Sequence, residues 1–219
     1  MPLDDEWLGE GELAVLARLR FPKRRADWRL GRWTAKRAIA RHLHLPCDAA
    51  TLARIEVRPA PSGAPEAYVD GRAAELTLSL SHSGGVAFCA LAAPGASLGC
   101  DVEQVAPRSR AFATDYFTVE EQDLAAGSDQ RDLMLTLLWS AKESALKALQ
   151  CGLRSDTRSI AVVPGGLSPV SGEQWHSVTA SNIDGRIFHG WWRSTGALVW
   201  TLVAAPSPLT PLALSPSTS

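Results

Sequence analysis

Ser97-Leu98-Gly99-Cys100-Asp101-Val102-Glu103 is the stretch from which the rest of the chain is read. Its alternation predicts a strand with Leu98, Cys100 and Val102 on one face and Gly99, Asp101 and Glu103 on the other. The i to i+2 repeat stacks the two carboxylates about 7 Å apart on one strand face. Gly99 beside them has no side chain, which leaves room for a close approach. An isolated D-x-E is more often the solvated face of an edge strand than a cation site. The apolar run at residues 86–92, read as a neighbouring strand, argues against full exposure here.

Working outward, residues 10–20 and 23–44 read as helices, the second strongly basic and ending before Pro46. Residues 52–58 read as a strand and 59–65 as a turn. Residues 76–81 alternate as a strand, with Leu76, Leu78 and Leu80 facing one way and Thr77, Ser79 and Ser81 the other. His82-Ser83-Gly84-Gly85 is expected to turn into strand 86–92. In the second half, residues 118–126 and 132–150 read as helices. Residues 160–163, 175–180, 186–192 and 197–204 read as strands. Both halves run helices then antiparallel strands, so the expected fold is α+β in two similar lobes. The expected boundaries are 1–104, 105–204 and a Pro/Ser-rich tail at 205–219 that does not fold. No sequence repeat is strong enough to establish duplication.

Helix 132–150 adds chemistry. Trp139, Lys142, Glu143, Leu146 and Lys147 fall on one stripe, with Leu138, Ala141, Ala145, Ala148 and Leu149 on another. Glu143 and Lys147 alone read as a surface i,i+4 pair of little energetic weight. A tryptophan on their face argues otherwise. Ser81-His82-Ser83-Gly84 suits phosphate better than hydrolysis, because adjacent residues cannot form a nucleophile–base pair and no Gly-x-Ser-x-Gly occurs. A merely structural turn is as good a reading of that segment alone. Together, however, Asp101, Glu103 and Glu143 offer hard oxygen donors, while lysines and His82 offer partners for phosphate oxygens. A magnesium–pyrophosphate grip is the chemistry these residue types share.

Composition narrows the class. The 219 residues carry a net charge of −1, which gives no bulk case for nucleic acid or an anionic membrane. Basic residues cluster between Arg18 and Arg41 against the single acid Asp27, a strip suited to a small polyanion or simply to a solvated helix face. Cys47, Cys89, Cys100 and Cys151 form no C-x-x-C pair and read as reduced thiols, hence a cytoplasmic protein. Neither a signal peptide nor a membrane span is expected.

In order, these segments resemble the 4′-phosphopantetheinyl transferases of the surfactin-synthetase-activating (Sfp) type. Leu78-Ser79-Leu80-Ser81-His82-Ser83-Gly84 is similar to the family's first motif. Gly99-Cys100-Asp101-Val102-Glu103 is similar to its G-x-D-x-E, and Trp139 to Lys147 to its W-x-x-K-E-x-x-x-K. Tyr116-Phe117-Thr118-Val119-Glu120-Glu121 resembles its F-F-S-x-x-E, and Arg24 to Arg32 its basic helix. The resemblance spans about residues 20 to 165. Gly63-Ala64-Pro65 departs from the family's Gly-Lys-Pro, which puts any contact of that lysine in doubt.

The resemblance implies transfer of the phosphopantetheine arm of coenzyme A to a serine of an acyl or peptidyl carrier domain, releasing adenosine 3′,5′-bisphosphate. It implies Mg²⁺ on Asp101, Glu103 and Glu143, with Glu143 also available as base and Lys147 neutralising the departing phosphate. His82 and Ser81 would meet coenzyme A phosphates, and Lys23, Arg25 and Arg58 its 3′-phosphate. The implied fold is a pseudo-twofold pair of lobes in one chain, acting as a monomer in secondary-metabolite biosynthesis. Two rival readings are a Mg²⁺-dependent phosphohydrolase or nucleotidyl transferase using the same acids, and a binding module that captures coenzyme A without turnover.

Overall fold

A computed structural model describes residues 1–151, 156–166 and 174–214. The architecture is α+β with antiparallel sheets, as the sequence led us to expect. The chain divides into two compact units, one covering Met1–Gly95 with the segment from Leu212, the other Ala96–Pro211. The division falls between Gly95 and Ala96, ahead of the boundary expected after 104, so the acidic strand counts with the second unit. The expected tail is in part engaged: Arg41 Nη1 donates to Leu214 O at 3.0 Å. Its last five residues, 215–219, lie outside the described residues.

The first unit holds α1 (Glu10–Arg18), α2 (Pro22–His42) and α3 (Ala49–Ala53). Its strands are β1 (Ile55–Pro59), β2 (Pro65–Val69), β3 (Arg72–Ala73), β4 (Thr77–Ser83) and β5 (Val86–Ala92). Pro22 opens α2 at a position where its missing N–H costs nothing. The expected strand 52–58 starts only at Ile55, because Asp48 caps a short helix by accepting from Thr51 N at 2.8 Å. The expected turn 59–65 is shorter, and β2 pairs back on β1 from Pro59↔Pro65. His82 and Ser83 are not in a turn: they pair with Ala87 and Val86. The two-residue loop is Gly84-Gly85, with φ of 57° and 79°, conformations that favour glycine. Trp7, Leu16, Ile39, Leu52, Ile55 and Leu78 build this unit's core.

The second unit begins with β6 (Ser97–Gln104), then α4 (Arg110–Tyr116), α5 (Val119–Ala126) and α6 (Arg131–Ala148). Strands β7 (Ile160–Pro164), β8 (His176–Asn182), β9 (Ile187–Thr195) and β10 (Leu198–Ala205) complete it. The sheet order is β6-β10-β9-β8-β7, antiparallel throughout, with β6 at an edge. Helix α4, unread in the sequence, is set by Ser109, whose hydroxyl accepts from Phe112 N at 3.0 Å. Helix α6 lies mainly across β6 and β10, and Leu135, Leu138, Ala145 and Leu146 bury its apolar side with Phe188, Val199 and Val203. It ends where Gln150 turns left-handed at φ 56°.

Both units contain the same internal pin. In the first, Glu12 in the first turn of α1 accepts from Gly9 N at 3.3 Å and Val57 N at 3.2 Å, and pairs with Lys36 of α2. In the second, Glu121 in the first turn of α5 accepts from Thr118 N at 2.9 Å and Val162 N at 3.0 Å, and pairs with Lys142 of α6 at 2.8 Å. Each lysine also donates to backbone carbonyls: Lys36 to Trp7 O, Lys142 to Thr157 O and Ile160 O. A fully buried ammonium is tolerable only when paired and bonded in this way. Aligning the two lysines superposes Trp33-Thr34-Ala35-Lys36-Arg37 on Trp139-Ser140-Ala141-Lys142-Glu143. The two units thus share this pentapeptide pattern and the ion pair built on it.

Candidate functional site: an acidic cluster and a basic cleft

The acidic cluster lies within the second unit. Asp101 is on β6 and only 4% exposed, while Glu103, two residues on, is partly exposed. Both leave β6 on the side of Gly99, and that side faces α6: a Cβ on Gly99 would fall 1.7 Å from Ser144 O. The space beside the carboxylates is thus filled by helix backbone, and glycine is what admits it. Close packing brings Lys147 to Asp101, with Nζ donating to Oδ1 at 2.9 Å and to Cys100 O at 3.0 Å.

Helix α6 does not present one functional stripe. Trp139 packs against Phe112 and Tyr116, with ring centroids 5.3 and 5.1 Å away. Lys142 is the buried pin described above. Glu143 and Lys147 instead share the β6/β10 side with Ser140 and Ser144. The motif Tyr116 to Glu121 is likewise structural: Thr118 caps α5, Phe117 is buried, and Glu121 holds Lys142.

Electrostatics tie the three acids together. Burial first, and then the Asp101 and Glu103 charges, push the Glu143 carboxyl up to about 7 against the opposing charge of Lys147. Burial by itself would lower the Lys147 ammonium, but Asp101 and its other negative neighbours raise it overall, so it stays charged. Arg108, missed in the sequence, stands 4.0 Å from Glu103 Oε2 with its guanidinium over the Phe112 ring. Among the described residues no three His, Cys, Asp or Glu side chains are gathered into a ready metal site. Lys147 and Arg108 partner the carboxylates instead. The donor set is nevertheless all oxygen and mutually repelling, which fits a hard divalent cation.

The first unit holds a basic cleft of about 500 Å³, lined by Phe21, Lys23, Arg24, Asp27, Trp28 and His82. Lys23 donates to Asp27 Oδ2 at 2.9 Å, and that bond holds the Asp27 carboxyl below its ordinary range. His82 lines this cleft from β4, whereas Ser81, which is buried, does not. Two other expected cations are elsewhere. Arg25 Nη1 donates to Leu16 O at 2.6 Å, closing the end of α1. Arg58 bonds Glu56 at 3.0 Å and covers the Tyr68 ring. Arg24 takes the place in the cleft expected for Arg25, since a one-residue shift turns a helical side chain by about 100°.

No helix among the described residues is long and apolar enough to cross a membrane. No curated protein matches the chain. Residues 97–193, from the acidic strand through α6 to β9, match the family model ACPS, the 4′-phosphopantetheinyl transferase superfamily.

Proposed function

We propose that the protein transfers the 4′-phosphopantetheine arm of coenzyme A to a serine hydroxyl of an acyl or peptidyl carrier domain, as an enzyme of the surfactin-synthetase-activating type. The observation that carries this reading is the contact of Lys147 Nζ with Asp101 Oδ1 at 2.9 Å, which joins the strand of Asp101 and Glu103 to the helix that bears Glu143. Asp101, Glu103 and Glu143 would hold Mg²⁺, which when bound neutralises pyrophosphate charge. The serine oxygen bonds to the phosphorus bearing pantetheine, and the bond from that phosphorus to the bridging oxygen breaks, releasing adenosine 3′,5′-bisphosphate. Glu143 would alternatively serve as the base that receives the serine proton. Lys147 stays protonated and offsets the charge that develops on the departing phosphate.

Within the first unit, Lys23, Arg24 and His82 are suited to a phosphate group, with Phe21 and Trp28 beside them as apolar faces. On this reading the protein acts as a cytoplasmic monomer, with both units supplied by one chain. The test is the intact mass of an apo carrier domain incubated with the protein, coenzyme A and Mg²⁺, with an EDTA control. A gain of one phosphopantetheine that EDTA suppresses is expected. Phosphate or nucleotide release with no gain on any carrier would favour a phosphohydrolase or nucleotidyl transferase and overturn the proposal.

A further inference from the structure

The α6 side that bears Glu143 and Lys147 also bears two hydroxyls that the transfer chemistry does not use. Ser140 Oγ and Ser144 Oγ are hydrogen-bonded to Thr201 Oγ1 at 2.8 and 2.7 Å, and Ser144 Oγ also donates to Thr201 O at 3.3 Å. All three residues are wholly enclosed. Thr201 is the register partner of Asp101 across β10 and β6, so the two side chains leave the sheet on the same side. Val199 and Val203 flank Thr201 on that face of β10, and both are fully buried.

A valine would fill the Thr201 position with nearly the same volume. The enclosed hydroxyl costs desolvation and is tolerated only through its bonds. Those bonds are directional, whereas valine packing is not, and they fix how α6 is rotated and how far it has slid along the sheet. A slip of one residue along a helix is about 1.5 Å and 100°, enough to carry Glu143 off the face that meets Asp101. Gly99 sets the closeness of α6 to β6 but not its rotation.

The first unit supplies an internal contrast. With Lys36 aligned on Lys142, Thr34 keeps a hydroxyl at the Ser140 position, but Ala38 stands where α6 has Ser144. That helix carries Arg37 and Arg41 in place of Glu143 and Lys147. The second serine accompanies the acidic cluster; the buried ion pair, present in both units, does not.

We infer that Thr201, through Ser140 and Ser144, is a positioning residue that holds α6 in the one register where Glu143 and Lys147 face Asp101. The inference rests on the reading that these acids hold a divalent cation. The probe is Mn²⁺, its affinity measured by paramagnetic resonance for wild type, Thr201→Val, Thr201→Ser and Ser144→Ala, alongside thermal melting and carrier transfer. Thr201→Val is expected to fold, to bind Mn²⁺ about tenfold more weakly, and to lose kcat more than KM for coenzyme A. Thr201→Ser is expected to restore both. Wild-type Mn²⁺ affinity in a folded Thr201→Val protein overturns the inference. If that variant does not fold, Ser144→Ala decides: weakened Mn²⁺ binding supports the inference and unchanged binding overturns it. A wild-type chain that binds Mn²⁺ but modifies no carrier removes the proposed reaction and leaves the affinity comparison as the test of Thr201. A wild-type chain that binds no Mn²⁺ overturns both.

Discussion

Lys147 on α6 and Asp101 on β6 lie 46 residues apart in the chain and meet at 2.9 Å in the fold. The contact joins two motifs that look independent in sequence, and it depends on Gly99 letting α6 backbone rest on β6. Asp101→Asn keeps shape and removes charge. Transfer should be lost, and stability should fall by about 2 kcal/mol as a charged hydrogen bond is weakened. Carrier mass and urea denaturation check the two effects separately.

Glu143 gives the cluster a defined pH response. Its folded pKa of about 7 lies above the ordinary 4.5, so the folded chain holds this proton more tightly than the unfolded one. The associated stability is complete below about 4.5 and is lost as pH rises to about 7. Glu143→Gln should flatten that slope in melting curves taken across the interval. Mn²⁺ affinity should move oppositely, rising with pH through about 7 as the carboxyl sheds its proton to ligate.

The buried lysines should behave as fold determinants. Lys142→Met leaves Glu121 enclosed without its cation, and a loss of about 3–5 kcal/mol is expected. Lys36→Met should do the same through Glu12. Denaturant unfolding checks both. If Lys142→Met melted like wild type yet bound coenzyme A poorly, Lys142 would belong to the binding site.

Gly99→Ala tests the helix–strand contact directly. The added carbon would sit 1.7 Å from Ser144 O and 2.7 Å from Ala148 N, both backbone atoms that cannot swing aside. A cost of about 3 kcal/mol or more is expected, with faster amide exchange in β6 and α6.

In the basic cleft, neighbouring arginines should part company. Arg24→Ala should weaken coenzyme A binding by roughly tenfold, the worth of one charge-assisted hydrogen bond. Arg25→Ala should leave affinity unchanged and lower the melting temperature, because Arg25 closes α1 through the Leu16 carbonyl. Calorimetry and melting separate the two.

The long elements and their order were readable in the sequence. The period of residues 132–150 matches α6, and the segments read as strands at 86–92, 97–103 and 197–204 match β5, β6 and β10. The short elements were not. Strands β2 and β3 carry little alternation of their own; β2 exists because β1 offers an edge and β3 because β2 does, while α3 and α4 rest on single capping residues. The pattern shared by the two units escaped as well, since its signal is one pentapeptide, Trp33 to Arg37, whose meaning appears only with the shared Glu–Lys pin.

Sequence by itself settled the fold class, the strand that carries Asp101 and Glu103, and the helix that carries Glu143. Local periodicity records which side chains turn away from water, and it is printed in the order of the residues. It does not record what each side chain turns toward. Lys142 and Lys147 share a motif and a helix, yet one is sealed against Glu121 and the other meets Asp101. Arg24 and Arg25 are adjacent, yet one lines a cleft and the other closes a helix. Those assignments come from strand register and helix rotation, set by contacts between residues far apart in the chain, and only the tertiary structure holds them.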